Sequence, residues 1–409
     1  MSDPAAVFAD LAARHDRMFW LDGGGSRSWS GRRSLLGGLG DDDVSLTFDA
    51  TGRLVTRHTA SDEVIGDDIF AALADELVVD AGDASVHWVG YLGYAARSDL
   101  PALLGGAAPD AVWMRVRDPI VIEHEPVVPQ PGRRPAPDTP VPDGYAAAYD
   151  EVQRQLRAGN SYEVNLTYRE AVLSDVDPVK AYLRLRRSNA GPYSGFLRHR
   201  GVDLLSSSPE RFATVDRQRW LEAKPIKGTT PRATDPSEDA ELADRLATDP
   251  KFRAENLMIV DLLRNDLSMV CEPGTVSVPS LMAVESYPSV HQLVSTIRGR
   301  LRDDVDTIAA LRALFPAGSM TGAPKLRTMQ IIESVEDTPR GVYAGAFGWI
   351  CADGRADLGV VIRSLVATPA GTAYRYEIGT GGGITVRSDP VEEYAETRWK
   401  AERLRACLE

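Results

Sequence analysis

Seven prolines fall between Glu125 and Gly144, in Glu-Pro-Val-Val-Pro-Gln-Pro-Gly-Arg-Arg-Pro-Ala-Pro-Asp-Thr-Pro-Val-Pro-Asp-Gly. Proline fixes φ and carries no N–H donor, so this string can be neither helix nor internal strand. It predicts a linker or surface loop over 126–144 and splits the 409-residue chain into 1–125 and 145–409. The first part holds strand-like pieces at Val44–Asp49, His87–Tyr94 and Ala111–Val116. In the second, helices are expected over Tyr145–Ala158, Pro178–Ser188, Lys251–Leu267 and Lys325–Val335, in a short piece ending at Phe315-Pro316, and after Asp389-Pro390. Strands are expected over Tyr162–Arg169, Tyr193–Leu197, Ala344–Ile350, Leu358–Ala367 and Thr372–Ile378. A regular βαβ alternation is missing, so the expected class is α+β with a mixed sheet, not a Rossmann sheet.

The net charge of −13 argues against a nucleic-acid surface, which needs a basic face. An anionic ligand would need a locally positive pocket or a metal. Cys271, Cys351 and Cys407 give neither a disulfide framework nor zinc spacing. No apolar run reaches the roughly 20 residues of a membrane span, and the first residues lack a basic, then apolar, leader pattern. A cytoplasmic enzyme is the expectation.

Lys227 stands in Pro225-Ile-Lys-Gly-Thr229, between a residue that fixes φ and one that permits unusual φ. A lysine so placed is a candidate nucleophile or carboxylate clamp; an exposed loop lysine is the plain alternative. Asp249-Pro250 and Asp389-Pro390 both read as helix starts, aspartate as N-cap and proline at the first helical position. Glu255 follows the first, and Glu393 and Glu396, three apart on one face, follow the second. Facing helix starts would gather hard oxygen ligands suited to Mg²⁺. The helix macrodipole alone also favours such glutamates.

Four further features bear on an anion site. Gly379-Thr-Gly-Gly-Gly-Ile384 suits a backbone N–H nest or a tight turn. Arg363, in an apolar strand-like run, must pair with a bound carboxylate or an internal acid. Gly318–Lys325 ends at a helix start, a place for anions or simply a capping loop. His291 is a candidate acid or donor, or a structural histidine, and Glu210 is a positioned acid or the partner of Arg211.

Together these strings resemble the chorismate-utilising enzymes, which include anthranilate, aminodeoxychorismate, isochorismate and salicylate synthases. The likeness rests on Ser161–Thr167, Ser207–Phe212, Lys224–Arg232, Arg253–Asp266, Gly318–Lys325, Arg340–Gly348, Gly379–Ile384 and Glu393–Thr397, and more loosely on Leu21-Asp22 and Gly90–Tyr94. It implies a large mixed α/β unit, two subdomains around a β-sandwich surrounded by helices, with the active site in the cleft between them. It makes 1–125 the N-terminal part of that fold and 145–409 the catalytic region.

Lys227 is similar to the lysine of the aminodeoxychorismate-forming members, where anthranilate-forming ones usually have alanine. Glu163 stands where members that add water carry a lysine, which implies ammonia as the nucleophile. No amidotransferase cysteine motif stands in the chain, so a separate glutamine amidotransferase subunit would supply that ammonia. The resemblance implies amination of chorismate at C4, with an anthranilate synthase component I and a non-catalytic chorismate-binding subunit as the alternatives. Glu255 and Glu396 would bind Mg²⁺ directly, with Glu393 nearby through water. Tyr343, Arg363 and the N–H groups of Gly381, Gly382 and Gly383 would hold the enolpyruvyl carboxylate. Thr229 and His291 would lie on the ring-carboxylate side, and Thr321 would join the substrate-binding set. Glu210 would protonate the departing C4 hydroxyl. Lys227 would bond to C2, from a pKa lowered by burial and nearby positive charge, or would only stabilise charge while ammonia attacks. Phe252 stands where many relatives carry an acidic residue.

Overall fold

A computed structural model describes residues 3–25, 30, 32–124, 140–287 and 290–409. Most of the proline-rich segment, 125–139, lies outside the described residues. The following helix begins at Asp143, so the last two residues assigned to the linker are its first turn.

Two large antiparallel sheets form the body. The first has nine strands, in the order Gly322–Ala323, Glu163–Ser174, Ala373–Ile384, Ser364–Ala370, Val202–Ser208, Tyr193–His199, Arg17–Asp22, Arg33–Gly38 and Ile120–Glu123. The second has twelve. It runs from Ile226–Pro231 and Val290–Arg300 through Trp220–Lys224, Arg211–Val215, Ala356–Val360 and Ala346–Cys351 to five strands of the N-terminal part, ending at the edge strand Asp62–Gly66, and the twelfth, Ser277–Ser286, pairs with Val290–Arg300 off this path. Strands from before the proline segment are therefore built into both sheets.

The layers follow from strand alternation, which turns successive side chains to opposite faces. Phe19 packs between the sheets with Tyr91, Met114, Leu197, Leu204 and Phe347. Its neighbours Met18 and Trp20 face the other way, against helices Pro4–Arg14, Pro178–Ser188 and Pro390–Ala406. Helices Ile69–Val79, Pro250–Ser268 and Thr307–Leu314 cover the outer face of the second sheet through Phe70, Leu263 and Leu311. The fold is a mixed α+β sandwich of helix, sheet, sheet and helix layers. Each fully buried Leu or Phe side chain contributes about 1.5–3 kcal/mol. No helix among the described residues is long and apolar enough to cross a membrane.

Both Asp-Pro helix starts form as expected. Asp249 accepts from the N–H groups of Lys251 (2.8 Å) and Phe252 (3.4 Å), and Asp389 from those of Val391 (2.9 Å) and Glu392 (3.0 Å). Two strand expectations are corrected. The run Leu358–Ala367 is two strands, Ala356–Val360 in the second sheet and Ser364–Ala370 in the first. Arg363 sits in the crossover between them at φ 52°, an uncommon conformation for a side chain with a Cβ. The glycine run is no turn either: it is the second half of strand Ala373–Ile384, paired with Glu163–Ser174 to its end (Gly381 opposite Thr167, Gly383 opposite Asn165).

Candidate active site

A cavity of about 980 Å³, counting its open mouth, lies where the ends of the two sheets meet the two Asp-Pro helices. Lys227 enters it from a bulge. The pairing of Ile226–Pro231 with Val290–Arg300 shifts register between Ile226 and Thr229, and Gly228 takes φ 90° there. A bulge re-aims the side chain beside it, and glycine supplies the left-handed backbone. A Cβ on Gly228 would lie 3.0 Å from Phe252 and from Leu246, so the loop is packed tightly on the helices behind it. Lys227 is thus no exposed loop lysine: its side chain is 11% exposed.

Strand parity decides which neighbours join it. Thr229 lies opposite Gln292, and both line the cavity. His291 lies opposite Thr230 and is not among the lining residues. Its Nε2 is 3.0 Å from Asp239 and its Nδ1 2.8 Å from the Ser286 hydroxyl, so both ring nitrogens are engaged away from the cavity. The expectation that His291 meets substrate is corrected; Gln292 is the residue that sequence reasoning missed, and the period of two along the strand was the available signal. Gln292 is 3% exposed and its Oε1 has no hydrogen-bond partner among the described residues. Thr321 is corrected in the same way. It is fully buried, and its hydroxyl donates to the carbonyls of Ala317 and Gly318, closing the Gly318–Met320 turn; Ser319 and Met320 line the cavity instead.

Glu210 lies in the short link between strands Val202–Ser208 and Arg211–Val215 and is 5% exposed. It does not pair with Arg211, whose guanidinium takes Glu222 (2.5 Å) and the Tyr193 hydroxyl. The Ser319 hydroxyl donates to Glu210 at 2.6 Å. Burial pushes the Glu210 carboxyl up to about 7 against the pull of Ser319 and Lys227, so it holds a proton near neutral pH.

The glycine strand closes one wall. Its pairing with Ser364–Ala370 ends at Ile378, which leaves one edge of 379–384 open. Lys400 Nζ donates to the Gly381 carbonyl on that edge at 2.8 Å. A residue's N–H and C=O point the same way in an antiparallel strand, so Gly381 and Gly383 turn their N–H groups outward, while Gly382 turns toward Glu163–Ser174. The expected nest of successive N–H groups is therefore an open strand edge that offers alternate ones. Close approach explains the glycines: a Cβ on Gly379 would strike the Tyr343 ring, and one on Gly383 would strike Glu163. Tyr343 and Arg363 complete this wall. The Arg363 guanidinium lies 5.5 Å from the Trp399 ring and forms no ion pair or hydrogen bond among the described residues. Removal from solvent lowers it to about 10, and a carboxylate at the wall is the partner its chemistry calls for.

Glu255, Glu393 and Glu396 all line the cavity, yet among the described residues no three acidic, His or Cys side chains form a ready cation cage. Lysines hold two of the three. Lys251 Nζ is 3.0 Å from Glu393, which also accepts from the Ser388 hydroxyl (2.7 Å), and Lys400 Nζ is 2.9 Å from Glu396. Glu255 Oε1 has no hydrogen-bond partner among the described residues. Burial, reinforced by Glu163, pushes the Glu255 carboxyl up to about 8. An all-oxygen set with one orphaned buried carboxylate fits a hard divalent cation. Phe252, beside them, adds no charge.

Lys227 carries the largest correction. Its Nζ contacts Oε1 of Glu163, which is 1% exposed and lies behind the lysine, outside the lining residues. Burial works to lower the lysine pKa, but Glu163, with Glu255 and Glu210, holds it above its ordinary value. The nearby positive charge that was expected to neutralise it is absent from its contacts.

The sequence profile described as "chorismate binding enzyme" matches residues 126–406. The chain is 39% identical to an aminodeoxychorismate synthase of Streptomyces pristinaespiralis, over 98% of this chain and 63% of that protein. It is 42% identical to aminodeoxychorismate synthase component 1 of Escherichia coli (strain K12), over 65% of this chain and 57% of that one. Among solved structures, anthranilate synthase component I from Streptococcus pneumoniae TIGR4 superposes with a TM-score of 0.77 at 25% identity, covering 92% of this chain and 93% of that chain. The chain thus spans less than two thirds of the length of either of these two sequence relatives.

Proposed function

Because the chain belongs to the chorismate-binding enzyme family, we propose that it replaces the C4 hydroxyl of chorismate with an amine to give 4-amino-4-deoxychorismate, the precursor of 4-aminobenzoate. Ammonia is the nucleophile and comes from a separate glutamine amidotransferase subunit. The observation that carries this is one cavity lined by both a lysine amine, Lys227, and a carboxyl that holds its proton near neutrality, Glu210. The similarity to aminodeoxychorismate synthases supports the same product.

The charges suit a dianion brought in with a dication. Among the described residues, Lys227, Lys251, Arg363 and Lys400 face Glu210, Glu255, Glu393 and Glu396 across the cavity, four cations to four carboxyl groups. With Glu210 and Glu255 largely protonated near neutral pH, that set is net positive and draws the chorismate dianion into an acidic protein, and the charge of a bound dication would be offset as the Glu255 proton leaves. Glu255, Glu393 and Glu396 would hold the magnesium, which when bound supplies Lewis-acid polarisation of the ring carboxylate. Arg363, Tyr343 and the outward N–H groups of Gly381 and Gly383 hold the enolpyruvyl carboxylate. Thr229 and Gln292 face the ring. Glu210 gives its proton to the departing C4 oxygen, a general-acid role matched to its raised pKa. Lys227 bonds to C2 as that oxygen leaves, and ammonia at C4 then expels the lysine, so one displacement becomes two easier ones. Glu163 offers no amine to activate water.

The test is product identity. Purified chain with chorismate, Mg²⁺ and ammonium is expected to form a product that an added aminodeoxychorismate lyase converts to 4-aminobenzoate. Anthranilate as the sole product would sink the proposal.

A further inference from the structure

Lys227 meets the cavity in the wrong protonation state for a nucleophile. An ammonium has no lone pair, so a proton must leave Nζ before C2 is attacked. Three carboxyl groups face the lysine: Glu163 from strand Glu163–Ser174, Glu255 from helix Pro250–Ser268, and Glu210 from the link before strand Arg211–Val215. Glu210 is engaged by Ser319 and is needed as a donor to the leaving oxygen. Glu255 belongs to the carboxylate set assigned to the metal. Glu163 is different: it touches Nζ itself, its Oε2 has no hydrogen-bond partner among the described residues, and it is outside the cavity wall. Gly383 closes over the pair, for a Cβ there would collide with Glu163 and stand 3.0 Å from Nζ. The proton thus has a short route to Glu163, through a direct contact that no cavity residue interrupts.

Resting on the proposed function, we propose that Glu163 is the proton acceptor that frees the Lys227 amine. A proton passes from Nζ to the Glu163 carboxylate, leaving an amine and a carboxylic acid. The Nζ lone pair bonds to C2, both ring double bonds shift (C1=C2 to C1=C6 and C5=C6 to C4=C5), the C4–O bond breaks, and Glu210 delivers its proton so that water departs. Ammonia then bonds to C4, both double bonds shift back, and the C2–N bond breaks with its electron pair returning to Nζ. Nζ takes its proton back from Glu163, and the new C4 ammonium returns one to Glu210. The sum is chorismate plus ammonia giving aminodeoxychorismate plus water.

Glu163→Gln keeps the shape and removes the acceptor. The assay is ammonia-dependent turnover from pH 6 to 10, with free ammonia, not total ammonium, held constant. At pH 7 the variant is expected to lose up to roughly 100-fold in kcat, the size of one general-base contribution, less what burial returns by lowering the amine's pKa once Glu163 no longer raises it. That loss should shrink about tenfold per pH unit as the amine deprotonates to solvent, and Glu163→Asp should keep the wild-type profile. A loss equal at every pH means a structural role only and overturns the inference, as does a wild-type profile in Glu163→Gln. Lys227→Ala separates the layers: if it still forms product, the nucleophile assignment fails; if it is inactive while Glu163→Gln behaves as wild type, only the acceptor fails. A measurement on the unaltered protein guards against misfolded variants. Labelling of Lys227 by methyl acetimidate, read by peptide mass, should be very slow at pH 7 and quicken with rising pH, because Glu163 holds the amine protonated above its ordinary value. Ready labelling at pH 7 would mean the amine needs no acceptor.

Discussion

Glu210→Gln should make the protein more stable in alkali and nearly inactive. Glu210 is 5% exposed and its carboxyl rises from 4.5 to about 7 because burial disfavours the charge. At about 1.36 kcal/mol per pH unit, that rise is worth about 3 kcal/mol. The sign follows from linkage. A carboxyl with a raised folded-state pKa contributes stability that is complete below about 4.5 and lost as pH climbs through about 7. By pH 9 the wild type therefore carries a buried carboxylate that costs it about 3 kcal/mol, whereas glutamine carries no charge. Glutamine can still accept from Ser319, but its added N–H₂ lacks an acceptor and takes back roughly 1 kcal/mol. The variant should thus be about as stable as the wild type at pH 5, where part of the contribution is already lost, and more stable by about 2 kcal/mol at pH 9. Urea unfolding of both ligand-free proteins at the two pH values measures this; both retain Glu255, so its similar titration cancels in the difference. In the ammonium assay the variant should lose 100-fold or more in kcat, since the leaving oxygen has no acid. A stability difference that does not change between pH 5 and 9 would refute the buried-acid account of Glu210.

Other outcomes test the walls of the cavity. Gln292→Leu should raise KM for chorismate several-fold, while His291→Asn, whose ring nitrogens are engaged by Asp239 and Ser286, should cost about 1–2 kcal/mol of stability and leave kcat within about twofold; the reverse pattern would show that the strand parity is misassigned. Arg363→Lys keeps the charge but loses the planar fork, so KM for chorismate should rise roughly tenfold with kcat little changed, as steady-state kinetics would show. Glu255→Gln should abolish the binding heat of Mg²⁺ in calorimetry with chorismate present, and chelation of the wild type should stop turnover reversibly.

Much of the site was legible because it is local. The Asp249-Pro250 and Asp389-Pro390 helix starts depend on side chains two and three residues apart, and they form as the sequence predicts. The glutamates, Lys227, Glu210, Tyr343 and Arg363 reach one cavity because short motifs fix which strand end or helix turn carries them. What failed depends on partners far along the chain. The run 379–383 reads as a nest or a tight turn until the pairing partner Glu163–Ser174, some two hundred residues earlier, is in place. His291 and Gln292 exchange roles with a register of one residue, and the bulge at Lys227 that sets this register has no signature beyond Gly228. Arg363 seemed to sit mid-strand because its apolar neighbours serve two different sheets. The charge of Lys227 was misjudged because its partner, Glu163, comes from another sheet.

The central claim is that Lys227 bonds to the substrate. Purified chain mixed with chorismate and Mg²⁺ but no ammonium, quenched in acid within one turnover time and digested, gives a direct reading by peptide mass spectrometry. The account predicts that the Lys227 peptide gains the mass of chorismate less one water, and that added ammonium discharges it as aminodeoxychorismate forms. An unmodified Lys227 peptide, from protein that turns over normally once ammonium is supplied, would contradict it.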